Sequence, residues 1–301
     1  MTDLAPVPES GHVFDTSWPM ATPDMDDRCQ LGLVGIARSV QEAGVRHLEY
    51  AGMMDVHPHW IMRRAVVDVL RPIEWPDRVR VRRWCSGISS RWCAMRVRFD
   101  GDNGGLVETE GFWINVSKQT MGPARLSDEF VSTMATTTDE LRLRWKAWLT
   151  EHPTDGPGVD FPLRRTDIDH FNHVNNTAYW HGVVEVLAGE PDLTSGPYRA
   201  VIEYAKPIRY DEPVHIGTRR RGDVVDMSFA VLGDVRTFAQ VRALLSPPER
   251  SWSGGPSHAG SAFSCRERNV GRQGGGRGSG AGSAFRLFVS RSERDGSTMG
   301  T

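Results

Sequence analysis

A dense group of polar side chains lies in the second half of this 301-residue sequence, between residues 167 and 180. It combines carboxylates, imidazoles and amides, which are costly to bury unless each group finds a partner. Asp169 could orient and deprotonate a water or attack a substrate directly, and His173 could polarise a carbonyl or carry the proton. Free N–H groups in the first turn of a following helix would stabilise the oxyanion that forms. The pattern therefore predicts attack on a carbonyl carbon.

Two roles are open to the amide side chains of the same run. Asn172 could position the water, as could Asn175 or Asn176, and we take Asn175, Asn176 and Tyr179 as substrate-binding residues. Alternatively, Asn172 or Asp169 caps the helix by accepting hydrogen bonds from its free N–H groups. Capping accounts for one such residue and not for the whole cluster, so we expect the cluster to be functional.

An internal repeat places this cluster in the second of two copies. Residues 64–75 match residues 199–210 without a gap at an offset of 135, and five positions are identical. Upstream of each match lies a stretch with apolar residues at helical spacing, such as Leu33, Ala37 and Val40 in the first copy. The order of loop, long helix and several strands therefore occurs twice.

Each copy combines one helix with strand-like segments joined by tight turns. This organisation predicts the α+β class, with two antiparallel sheets that each wrap around a central helix. Strands are expected, among other places, at residues 94–99, 107–116, 224–232 and 236–245. We divide the chain into an N-terminal copy, a linker, a C-terminal copy that carries the active site, and a tail, at residues 12–125, 126–161, 162–246 and 247–301.

The composition limits the classes of function. There are 36 Lys+Arg residues against 38 Asp+Glu, a balance that argues against a dedicated nucleic-acid binder. No apolar stretch approaches the ~20 residues of a membrane span, and four cysteines without CxxC pairs indicate a reduced, cytoplasmic chain. Ser, Gly and Arg dominate residues 247–301, which we predict to be disordered. An amphipathic helix is predicted over 138–149 in the linker.

Other catalytic arrangements find little support. No G-x-S-x-G elbow of a serine hydrolase occurs. His57 and His59 flank a proline near Asp55, but without a third placed ligand they indicate a loop and not a metal site. We therefore predict neither a metal nor a cofactor.

The run Asp167-Ile168-Asp169, followed by His173-Val174-Asn175-Asn176 and Tyr179-Trp180, resembles the signature of the acyl-acyl carrier protein thioesterases. These are double-hotdog hydrolases of fatty acid synthesis in plants and bacteria. The segment Trp75-Pro76-Asp77 also looks like the first half of that family. The resemblance implies a tandem hotdog fold with the active site in the second half.

Carried over residue by residue, the family's catalytic Asp falls on Asp169 and its His on His173. The position of the family's Asn holds Phe171 here, with Asn172 shifted by one, and the Glu of the plant members falls on Pro207. The resemblance therefore implies Asp169, His173 and Asn172 as catalytic residues and leaves the role of the Glu unassigned.

The equivalent junction of the first copy lacks the imidazole. Asp26 takes the position of Asp169, but Gln30 takes the position of His173. An amide cannot replace an imidazole as a proton carrier, so we expect the first copy to be catalytically silent and to shape the acyl pocket or an interface.

The resemblance implies hydrolysis of a fatty-acyl thioester, carried by acyl carrier protein, with release of free fatty acid in fatty acid biosynthesis. Two alternatives stay open: hydrolysis of an acyl-CoA or another acyl thioester on the same fold, and an acyl-binding protein without turnover. The basic residues 219–221 and 63–64 are either solvated or steer the docking of an acidic carrier protein. A homodimer is also left open, because the two joined copies could already supply the pairing that single hotdogs obtain by dimerising.

Overall fold

Ten strands make up one antiparallel sheet in the computed structural model, which describes residues 4–117, 119–120, 122–153 and 158–244. In chain order the strands span Phe14–Pro19 (β1), Trp60–Arg71 (β2), Arg78–Ile88 (β3), Trp92–Gly101 (β4), Leu106–Asn115 (β5), Gly158–Phe161 (β6), Tyr198–Tyr204 (β7), Val214–Arg221 (β8), Val224–Val231 (β9) and Asp234–Ala243 (β10). Across the sheet they follow the order β1-β3-β4-β5-β2-β7-β10-β9-β8-β6. The four strands predicted by range form within two residues of their expected bounds.

Two longer helices lie against the sheet and a third, short one follows the first copy. The helices span Leu33–Tyr50 (α1), Asp128–Met134 (α2) and Ala178–Leu187 (α3). Ile36 and Val40 of α1 share one buried apolar cluster with Val183 and Leu187 of α3 and with side chains of both halves of the sheet. Their helical spacing turns one face of each helix towards this core. None of the helices in the described ranges is long and apolar enough to cross a membrane.

The two copies share a single sheet, so the expectation of two separate sheets is not confirmed. Strands β2 and β7, which are equivalent in the sequence repeat, pair with each other in antiparallel register at the junction of the two copies. Because each strand supplies the hydrogen-bonding edge that the other needs, the two copies close into one continuous structure.

Two buried ion pairs cross this junction and reproduce the repeat. Arg64 lies opposite Glu203, and Asp68 lies opposite Arg199. At the repeat offset of 135, Arg64 corresponds to Arg199 and Asp68 to Glu203, so the two pairs are related by a local pseudo-twofold axis. The Arg64 Nη1 to Glu203 Oε1 distance is 3.2 Å and the Arg199 Nε to Asp68 Oδ1 distance is 2.6 Å.

The prediction of a helix over residues 138–149 is wrong. A helix forms earlier, in α2, where the Ser127 side chain caps the start by accepting a hydrogen bond from the third helical residue. Residues 138–149 contain no helix; the N–H groups of Trp148 and Leu149 donate to the Glu203 carboxylate at 2.9 and 3.2 Å. The Glu203 carboxylate therefore pairs two N–H groups that in a helix would bond to carbonyl groups of the helix itself. The predicted disordered tail, residues 247–301, lies outside the described residues.

Candidate active site

The loop before α3 is built around Asp169. Its Oδ1 accepts hydrogen bonds from the N–H groups of Phe171 at 2.9 Å and of His173 at 3.1 Å. The Asp169 N–H donates to the carbonyl oxygen of His173 at 2.8 Å, and Asn172 takes a left-handed backbone conformation with φ 61°. Such a conformation is tolerated better by Asn than by most residues. No described residue forms a hydrogen bond with the second carboxylate oxygen of Asp169.

The first copy contains the same loop with different chemistry. Asp26 Oδ1 accepts a hydrogen bond from the N–H of Gln30 at 2.9 Å, and Cys29 has φ 59°. These residues stand at a constant offset of 143 from Asp169, His173 and Asn172. The aspartate therefore organises the loop in both copies, and only the second copy combines that geometry with an imidazole.

Hydrogen bonds within the segment fix both ends of the loop. Asp167 is buried, accepts hydrogen bonds from the backbone and side chain of Arg164, and its carbonyl oxygen accepts a hydrogen bond from the Asn175 N–H at 2.7 Å. The Asn175 side-chain oxygen accepts hydrogen bonds from the N–H and hydroxyl of Thr177 at 2.8 and 2.7 Å, next to the start of α3. The Asn175 side chain thus holds the turn that leads into α3, and no described side chain caps the start of this helix, so the capping role considered for Asn172 or Asp169 does not occur.

A cavity of about 230 Å³ opens beside this loop. One wall belongs to the second copy and consists of Asp169, His170, Phe171, Asn175 and Asn176. The opposite wall belongs to the first copy and includes Gln41, Gly44 and Leu48 of α1 and Arg83, Cys93 and Trp113 of the sheet. The cavity therefore needs both copies, which agrees with the expectation that the first copy shapes the pocket.

The predicted site residues divide into two groups. Asp169, Asn175 and Asn176 line the cavity, whereas His173 is half-buried outside its lining and Asn172 is exposed. Tyr179 also lies outside the lining.

Tyr179 instead belongs to the core. It is buried against Tyr204 and Phe229, with ring centroids 5.3 and 5.4 Å away, and burial raises the pKa of its hydroxyl to about 12. A phenol in this environment stays protonated and contributes packing.

Two histidines that the sequence did not single out for catalysis line the cavity. His170 and His59 have ring centroids 6.2 Å apart, and the Phe171 ring lies 5.5 Å from His59 and 3.9 Å from His170. His59 comes from the first copy, just before β2. Its neighbour His57 is buried and bonded through Nε2 to Ser127, at 3.0 Å from the hydroxyl oxygen. Among the described residues no group of three or more His, Cys, Asp or Glu side chains is placed to hold a metal ion.

A smaller cavity of about 20 Å³ adjoins the first and shares Gln41 and Asn176 with it. Its other walls include Val40 of α1, Trp180 of α3 and Met62 of β2. Gln41 and Asn176 thus separate the main cavity from a small space in the apolar core.

The basic residues considered for carrier docking are differently placed. Arg64 is buried in its ion pair with Glu203, so it is not available for docking and that expectation is corrected. Arg220 and Arg221 are more accessible but form ion pairs with acidic neighbours such as Asp192 and Asp226.

Comparison with known proteins identifies a family and relatives that this sequence matches. The model of the acyl-ACP thioesterase N-terminal domain matches residues 11–134, and that of the C-terminal domain matches residues 151–236. An uncharacterised protein of Mycobacterium tuberculosis is 52% identical over 244 residues, which are 80% of this chain and 97% of the relative. The chloroplastic oleoyl-acyl carrier protein thioesterase of Coriandrum sativum is 22% identical over 205 residues, 60% of this chain and 55% of the relative.

Among solved structures, an acyl-ACP thioesterase from Bacteroides thetaiotaomicron has the same fold, with a TM-score of 0.65 at 13% identity. The superposition covers 77% of this chain and 97% of that one. Both family models together cover more than half of the sequence, and they divide it where the two copies meet. The chain therefore belongs to the acyl-ACP thioesterase family.

Proposed function

We propose that this protein hydrolyses fatty-acyl thioesters carried by acyl carrier protein (ACP) and releases free fatty acid in fatty acid biosynthesis. Membership of a thioesterase family supports hydrolysis of the thioester, and the names of relatives support ACP as the carrier. The observation that carries the proposal is Asp169, which lines a cavity built from both copies and has one carboxylate oxygen unpaired among the described residues.

The proposed chemistry uses water as the nucleophile. Asp169 accepts a proton from the water while the water oxygen bonds to the carbonyl carbon. The side-chain amide of Asn176, which also lines the cavity, would donate to the oxyanion of the tetrahedral intermediate. The C–S bond then breaks, the thiolate of the carrier takes a proton from an imidazole, and the imidazole recovers a proton from Asp169, which had taken one from the water. The acid and the free thiol leave.

The imidazole that protonates the thiolate is proposed to be His173. Its N–H donates to Asp169 Oδ1 at 3.1 Å, which holds this residue next to the carboxylate. His170 and His59 line the cavity, so they are the other candidates for this role. Comparison of kcat among the variants in which each of the three histidines is replaced by Ala identifies the proton donor. Replacement of the histidine that carries the proton should lower kcat by about 10²–10⁴-fold, and replacement of the other two should lower it far less.

A matched pair of variants tests the role of Asp169. Asp169→Asn and Asp26→Asn both keep an oxygen that can accept the loop hydrogen bonds, and both remove one negative charge. We expect Asp169→Asn to abolish thiol release and Asp26→Asn to leave it intact, with both proteins folded by circular dichroism. Equal activity of the two variants would refute the assignment of Asp169.

Two alternative functions give different results in the same assay. Faster hydrolysis of acyl-CoA than of acyl-ACP would support the first alternative, an acyl-CoA hydrolase. The position of His173 outside the cavity lining favours the second alternative, an acyl-binding protein without turnover. Binding of a fatty acid without any thiol release would support that alternative.

A further inference from the structure

Arg83 occupies a position on β3 where the alternation predicts an apolar side chain. Val79, Val81 and Cys85 share its strand parity and are buried, and Arg83 is itself only 7% exposed. A guanidinium at such a position is costly because an isolated charge loses its hydration. A buried arginine therefore needs a partner that repays this cost.

Other buried arginines of this protein have such a partner. Arg64, Arg96 and Arg199 each form an ion pair with a carboxylate within 3.2 Å. Arg83 makes no ion pair with any described residue, and its guanidinium donates one hydrogen bond, from Nη1 to Nδ1 of His47 at 2.8 Å. Burial and the charge of Arg83 lower the pKa of His47 to about 2, so the imidazole stays neutral. Its Nε2 is buried without a partner among the described residues.

The cavity leaves space for a partner beside this cation. Arg83 lines the same cavity as Asp169. A Cβ on Gly44 of α1 would lie 3.9 Å from Nη2 of Arg83, so the glycine leaves the guanidinium uncovered on the helix side. Four of the five guanidinium N–H groups have no partner among the described residues, which leaves them available to a ligand.

The two charged groups belong to different parts of the cavity wall. The Asp169 loop contacts the first copy through Phe171, whose ring packs on His59 immediately before β2. Arg83 lies on β3, and β4 and β5 separate β3 from β2 in the sheet. Three strand spacings correspond to ~14 Å. An acyl chain with its thioester carbon at Asp169 would therefore direct its other end towards Arg83.

We propose that Arg83 selects acyl chains that carry a carboxylate at the end remote from the thioester. This inference rests on the proposed hydrolysis at Asp169. The planar guanidinium matches a carboxylate with two parallel N–H···O bonds, and the apolar side chains of Leu48, Cys93 and Trp113 line the cavity. A chain that ends in a methyl group leaves the charge of Arg83 unpaired. The product of the preferred substrate is a dicarboxylic acid.

The test compares thioesters of equal length that end in a methyl group or in a carboxylate, over a series of chain lengths. We expect the protein to prefer the carboxylate by roughly 10- to 100-fold in kcat/KM, and we expect Arg83→Met to lose this preference. Arg82→Met is the matched control, because Arg82 precedes Arg83 on the same strand, pairs with Asp100 and does not line the cavity. A preference for the methyl end, or a preference unchanged in Arg83→Met, would overturn the inference.

Two further arms keep this inference separate from others. Thioesters of pantetheine and of phosphopantetheine test whether Arg83 instead binds the phosphate of the carrier; an effect of Arg83→Met on the phosphate arm only would overturn the inference. If no thioester is hydrolysed, the proposed function fails, and thermal melting with free dicarboxylic and monocarboxylic acids decides. A larger upward shift with the diacid, lost in Arg83→Met, supports the inference, and equal shifts refute it. Arg83→Lys, which keeps the charge without the fork, replaces Arg83→Met if that variant does not fold.

Discussion

Replacement of Glu203 by Ala tests whether the junction of the two copies depends on its buried ion pairs. The carboxylate accepts hydrogen bonds from Arg64 at 3.2 Å and from the N–H groups of Trp148 and Leu149, and Glu203 is 3% exposed. Removal of one partner of a buried pair costs about 3–5 kcal/mol, and each N–H group left unpaired adds on the order of 1 kcal/mol. We expect a loss of about 5 kcal/mol in the free energy of unfolding. For a chain of this size that corresponds to a fall of roughly 10–20 °C in Tm.

Urea unfolding measures this loss, and two further variants identify its cause. Glu203→Gln keeps an acceptor for the N–H groups and should cost about half as much. The double variant Arg64→Met and Glu203→Met removes both charges and should cost less than the sum of its two single changes. Trypsin should cleave after Lys146 faster in Glu203→Ala, because the segment 146–149 loses its anchor. A single-variant loss below ~1 kcal/mol, or full additivity in the double variant, would refute the reasoning.

Three further predictions concern other buried groups. Burial lowers the pKa of His47 to about 2, from 6.5 in the unfolded chain, so the stability contributed by the neutral imidazole is complete above pH 6.5 and is lost as the pH falls below that value. The free energy of unfolding should therefore fall by about 2 kcal/mol between pH 7 and pH 5 because of this group. His47→Gln should remove that part of the pH dependence. A Cβ on Gly35 would press against the loop before α1, whereas a Cβ on Gly44 would meet only a distant side-chain atom. In thermal melts Gly35→Ala should therefore destabilise the protein by about 1–3 kcal/mol, and Gly44→Ala should not destabilise it. Burial raises the pKa of the Cys85 thiol to about 11 and that of Cys93 well above its usual range, so a thiol reagent at pH 8 should modify neither until the protein unfolds.

The local parts of the fold could be predicted from the sequence, and the long-range parts could not. Alternation and turn residues gave the strand positions because these signals are contained in neighbouring residues. The spacing of Leu141, Trp145 and Trp148 is that of a helix, but the carboxylate that fixes this segment belongs to Glu203, far along the chain. The single sheet had one overlooked signal: each repeat carries an arginine and an acidic residue four positions apart in an apolar strand, which is the spacing that antiparallel pairing of the two copies requires.

The candidate site shows the same division. Asp169, Asn175 and Asn176 come from one continuous loop, so their types and spacing sufficed to place them together. The opposite wall, with Arg83 and His59, comes from the other copy, and no local pattern relates it to that loop. His173 comes from the same loop but lies outside the cavity lining, because spacing does not specify on which side of a loop a ring lies.

The outer strands of the fused sheet limit how this protein can associate. The two margins are β6, with four residues, and β1, with six, while the twelve-residue β2 is enclosed at the centre. Asp160 on β6 is exposed, and Asp15 on β1 forms an exposed ion pair with Arg80. Short, charged margins are poor templates for backbone pairing with another molecule. Duplication within one chain has thus enclosed its long strands, which protects them from strand-by-strand aggregation.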